Sequence, residues 1–71
     1  MQEYKAYFVA KYLKPLLLAI EMDVKEAVYL EKDGKEYVHI EFLGGEDTYA
    51  NVTWDSLFSI TKDCLKAISE A

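Results

Sequence analysis

The chain has 71 residues, 52% of them hydrophobic, 14% aromatic and 30% charged, with a formal net charge of −5 at pH 7. That describes one small folded domain over residues 1–71, too short for a second domain or a large enzyme scaffold and too apolar to stay disordered. All eight cations are Lys; net negative charge without Arg, whose planar fork grips phosphate and guanine, argues against direct nucleic-acid binding.

Residues 3–22 read as helix. Val9, Leu13, Leu16, Leu17 and Ile20 recur at helical spacing, with Tyr4, Phe8 and Tyr12 one step round. Ala6, Ala10 and Ala19 support the assignment, although the aromatics in Tyr4–Leu13 also suit a strand. Pro15 lacks an N–H and disfavours helical geometry at Lys14, so the expectation is a bent helix or two short ones, 3–13 and 15–22.

Residues 24–54 read as a β-meander. Val24–Glu31 is the first strand, Lys32-Asp33-Gly34-Lys35 a turn carrying the Asp-Gly hairpin signal, and Glu36–Leu43 the second strand. Gly44-Gly45-Glu46-Asp47 is the second turn, and Thr48–Trp54 the third strand. Residues 55–70 read as a helix capped by Asp55 or Ser56, with Leu57, Thr61, Cys64, Leu65 and Ile68 on its apolar stripe. The expected architecture is α+β: an N-terminal helix kinked or split at Pro15, a three-stranded antiparallel meander and a C-terminal helix, with the helices on one face of the sheet.

Side chains alternate along strands. Counting each strand by itself places Val28, Leu30, Val38, Ile40, Phe42, Ala50, Val52 and Trp54 on the core face. The other face then holds Tyr29, Tyr37, His39, Glu41, Tyr49, Asn51 and Thr53. Three Tyr are more than a merely soluble face requires, because each gives large contact area at low entropic cost. Tyr29, Tyr37, His39, Glu41 and Tyr49 are therefore the candidate protein-binding residues. Cross-strand pairing that only stabilises the sheet is the plainer reading.

Catalytic chemistry has little to stand on. Cys64 sits on the apolar stripe of the last helix, where a free Cys behaves as a small hydrophobe. His39 and Glu41 share a strand face, but a zinc site needs a further ligand, and nothing singles out Asp47 for that role. No glycine-rich phosphate loop is present, since no Gly-Lys-Ser/Thr follows Gly44-Gly45. The expectation is a non-enzyme with no cofactor and no metal.

Charge is unevenly spread: residues 1–20 carry +2, residues 21–55 carry −7 and residues 56–71 are neutral. An acidic middle segment could imitate nucleic-acid phosphates and occupy the groove of a nucleic-acid-binding protein. Lys25, Lys32 and Lys35 interrupt it, which favours solubility and edge protection instead. The lone Cys suits a reducing compartment. An acid within the first five residues and Lys11 and Lys14 beyond them speak against a signal peptide, and the uncharged run Pro15–Ile20 is far too short to span a bilayer. A cytoplasmic chain is expected, and Asn51-Val52-Thr53 is then a chance sequon. In size, acidity, Lys-for-Arg usage and compact α/β order the chain resembles small phage- or mobile-element-encoded accessory proteins, some of which inhibit host defence. The similarity is one of style across the whole chain and transfers no site. The function expected is a non-enzymatic interaction module that binds itself, as a homodimer, or a protein partner through the Tyr-rich sheet face. No membrane partner is expected; an acidic decoy is the alternative, and a small metal-binding or enzymatic protein resting on His39, Glu41 and Cys64 ranks below it.

Overall fold

Pro15 shapes the N-terminal third of the molecule. In the computed structural model, which describes residues 3–71, α1 (Glu3–Phe8), a π turn (Val9–Leu13) and α2 (Lys14–Ile20) run on as one helical rod, with helical dihedrals at Phe8, Leu13 and Lys14. Inside an α-helix, a proline forfeits its own bond and its ring collides with the carbonyl four residues back, here that of Lys11. In the π turn the bonds close five residues apart, and the Lys14 N–H donates to the Val9 carbonyl. The widened turn makes room for the ring, so the rod is not split at Pro15. It also selects the buried face. Lys5, Val9, Leu13 and Leu17 are buried at a constant spacing of four. In a plain α-helix of 3.6 residues per turn that spacing drifts round the axis, and the π turn takes the drift back. Leu16 and Ile20, expected on the core stripe, consequently stay exposed.

The sheet is antiparallel in the order β1 (Val24–Lys32), β2 (Lys35–Phe42), β3 (Asp47–Asn51). Asp33 and Gly34 both have positive φ, +54° and +78°, as a two-residue type I′ hairpin requires, and Lys32 pairs directly with Lys35. At the second turn Phe42 N–H donates to the Glu46 carbonyl, and Gly45 supplies φ +97°. β3 is shorter than the expected Thr48–Trp54. The Val52 N–H still donates to the Glu36 carbonyl, but the Glu36 N–H turns to the Thr53 hydroxyl oxygen and the Thr53 N–H to Asn51 Oδ1. Side chains thus replace the ladder, and the chain leaves the sheet.

α3 (Leu57–Glu70) is capped by Ser56, whose Oγ accepts from the Ser59 N–H at 3.2 Å. The rod lies over β1 and α3 over β3, both on the same face. The core between them joins Val9, Leu13 and Leu17 to Ala27, Tyr29, Val38, Ile40, Ala50 and Val52, with Ile60 and Cys64 from α3. Burial on α3 is rotated from the expected stripe: Ile60 and Cys64 are buried, whereas Leu57 and Leu65 are exposed. No helix among the described residues is long and apolar enough to cross a membrane.

Three sheet residues, Val28, Tyr29 and Leu30, lie on the opposite face from the one expected. Tyr29 is core, 6% exposed, while Val28 is 48% exposed. The cause is the hairpin register, which runs unbroken from Lys32–Lys35 to Glu26–Glu41; the irregularity between Val24 and Glu26 lies beyond it and lets Val24 and Ala27, three apart, share the buried face. From there on Ala27 faces Ile40 and Tyr29 faces Val38. Val28 and Leu30 therefore stand opposite His39 and Tyr37 on the helix-free side. Trp54, expected in the core, is 91% exposed; it follows the end of β3 and sits at φ +65°, where the alternation of a strand no longer applies.

Candidate protein-binding surface

The helix-free face of the sheet is ordered in rows, because antiparallel partners stand directly opposite one another. At one end Glu26, Glu41 and Asp47 align across the three strands. The next row is Val28, His39 and Tyr49, followed by Leu30, Tyr37 and Asn51. Lys32 and Lys35 close the face at the hairpin. An acidic row, two apolar and aromatic rows and a basic row thus follow in sequence along one surface.

The aromatic rows are held in fixed geometry. His39 stacks on Tyr49 with centroids 4.3 Å apart and planes 13° from parallel. Tyr37 meets the same Tyr49 edge-on at 6.2 Å and 87°. His39 Nε2 lies 2.8 Å from Asp47 Oδ2, so its ring bridges the aromatic and acidic rows. Tyr49 remains 55% exposed at the centre of this cluster. Beyond it, Leu30, Tyr37 and Tyr49 with Lys32, Asp33 and Lys35 line an open groove of about 590 Å³.

Electrostatics in the acidic row are partly internal. Lys14 Nζ reaches Glu26 Oε1 at 2.8 Å, and the same oxygen accepts from the Ala27 N–H. Lys14 first, and then that N–H, hold the Glu26 carboxyl below the usual carboxylate range. Of the five residues expected to form the surface, Tyr37, His39, Glu41 and Tyr49 come together on it, and Tyr29 does not. Val28 and Leu30 take its place. Among the described residues no three His, Cys, Asp or Glu side chains gather as a metal site.

A second concentration of charge lies under the sheet. Lys5 Nζ and Glu36 Oε1 form a buried ion pair at 2.6 Å between α1 and β2. Beside it, Asp55 Oδ2 is buried next to the Asp63 carboxyl. Burial, then the neighbouring Asp63 carboxyl, push Asp55 up to about 6, with Lys5 opposing the rise. Burial, aided by Asp63 and Asp55, also pushes the Cys64 thiol up to about 12. Cys64 is fully buried and stays a thiol at neutral pH, the form that is a poor nucleophile.

Comparison of the chain with protein-family models, with curated proteins and with solved structures gives no match.

Proposed function

We propose that the chain is a non-enzymatic protein-interaction module whose helix-free sheet face binds a protein partner. The observation that carries this reading is the row order of that face, with Tyr49 stacked on His39 and met edge-on by Tyr37, the cluster flanked by Val28 and Leu30 and bounded by an acidic and a basic row. Preorganised aromatics supply contact area at low entropic cost, and charged rows at either end fix orientation and speed encounter. The partner that fits places apolar side chains over Val28, Leu30 and Tyr49 and cationic groups over Glu41 and Asp47. A cytoplasmic setting suits the single reduced Cys64, and the small acidic chain suits an accessory role of the phage- or mobile-element type.

The acidic-decoy reading rests on the Glu26–Glu41–Asp47 row. Two of those three carboxylates are engaged, Glu26 by Lys14 and Asp47 by His39, so the aromatic rows carry more of the argument. The test is capture of partners from a lysate by wild type, Tyr49→Asp, Val28→Asp and the helix-surface control Tyr7→Asp. Loss in the two sheet variants with retention in the control supports the reading. Equal capture by all four, or none by wild type at low salt, refutes it. A partner that is itself a nucleic-acid-binding protein and is released by salt would favour the decoy.

A further inference from the structure

The rod and α3 rest on the sheet and make little contact with each other. The outer flank of the rod, with Ala6, Ala10 and Lys14, borders Glu26 and Val28 at the β1 edge, and the outer flank of α3, with Asp63, Lys66 and Ala67, borders Tyr49 and Asn51 at the β3 edge. Helical geometry then turns the opposite flanks toward the gap between them: Tyr12, Leu16 and Ile20 from the rod, Leu57, Phe58 and Leu65 from α3. All six are exposed, Phe58 by 77%. Five of them are wholly apolar, and Tyr12 has only its hydroxyl to offer water.

We propose that this helical face is a homodimer interface, on which a second copy of the chain docks about a twofold axis. Area supports it. From their fractional exposures the six side chains show roughly 600 Å² to solvent, the upper end for an apolar patch on a monomer, and with the polar groups between them the face approaches the ~800 Å² per partner of a standard interface. Charge supports it independently. Residues 56–71 are neutral, and of the three Lys in residues 1–20 Lys5 and Lys14 pair with Glu36 and Glu26, so the helical side is close to neutral, whereas the −7 of residues 21–55 belongs mostly to the sheet side and its turns. Contact through the helices keeps the two acidic sheets on opposite outer surfaces, and a twofold contact is closed, so assembly stops at two. The sheet face stays open for its partner, and the two proposals stand or fall separately.

The experiment is sedimentation of the full chain from about 10 to about 200 µM, for wild type, Phe58→Asp, the milder Phe58→Ala, Leu16→Asp and the sheet-face variant Tyr49→Asp, with circular dichroism to confirm folding. The expected result is a wild-type dimer retained by Tyr49→Asp and weakened about tenfold or more by Phe58→Asp and Leu16→Asp, as for an anchor residue at the centre of an interface. Should Phe58→Asp not fold, Phe58→Ala must weaken the dimer in its place. A wild type that stays monomeric throughout, a dimer lost in Tyr49→Asp but kept in Phe58→Asp, or growth beyond two copies would overturn the proposal.

Discussion

Lys5 and Glu36 sit where a small core can least accommodate charge. Each is desolvated, and the 2.6 Å contact between them compensates the loss. Removing one partner strands the other. Lys5→Ala is expected to cost about 3–5 kcal/mol in urea unfolding, whereas Lys5→Met combined with Glu36→Leu should come much closer to wild type. Equal losses in the single and double variants would mean that packing, and not charge, sets the cost. Asp55, close by, works in the opposite sense. Its folded value of about 6 lies above its ordinary 3.8, so the native state holds the proton more tightly than the unfolded chain does. The resulting stabilisation is complete below about pH 3.8 and fades as pH rises, and it is gone once pH has passed through about 6. Asp55→Asn keeps the neutral form at every pH. It should therefore melt above wild type at pH 7.5, with the gap closing as pH falls toward 4. A gap independent of pH, followed by scanning fluorimetry, would exclude the titration of Asp55 as its source.

At the scale of elements, the hairpin turn does more than join two strands. Asp33 and Gly34 fix the pairing of Lys32 with Lys35, and each further pair as far as Glu26–Glu41 lies equally far from the turn on either side. Tyr29 must then face Val38, and Leu30 must face Tyr37. That placement was legible in the sequence through the Asp-Gly signal, and counting alternation separately in each strand missed it. The element order, the layer arrangement and the Ser56 cap were legible for the same reason, since each follows from local pattern. The π turn, the early end of β3 and the rotation of α3 were not. They depend on where the Lys11 carbonyl, the Thr53 hydroxyl and the opposing core residues lie in space, which periodicity does not encode. Four of the five residues expected on the candidate surface lie on it, and its two aliphatic members, Val28 and Leu30, were hidden because alternation was counted in β1 without reference to the hairpin register. Gly34 gives the turn a direct test. An added Cβ there would meet no atom within 4 Å, so Gly34→Ala probes backbone conformation alone. At φ +78° the substitution should cost about 1 kcal/mol. Unchanged unfolding would show that the turn relaxes to another type.

On the scale of the whole molecule, the charge pattern gives the two surfaces opposite responses to salt. Bringing two chains of net charge −5 together is opposed by long-range repulsion even when the contact itself is apolar. Salt screens that repulsion within a Debye length of about 8 Å at physiological ionic strength and leaves the apolar contact in place. The helix-face dimer should therefore tighten from 50 to 500 mM NaCl. Because only the folded chain can dimerise, its melting temperature should also rise with protein concentration, and more steeply at the higher salt. A cationic partner on the sheet face is drawn in by the same negative field, and screening weakens its capture over the same range. Titrating salt with sedimentation for the dimer and surface binding for the partner separates the two. If both interactions weaken together, the acidic sheet lies inside both contacts, and the division of labour between the helical face and the sheet face is wrong. If the dimer strengthens while the partner dissociates, the uneven charge of the chain is what allows one small domain to hold a copy of itself and a second protein at once.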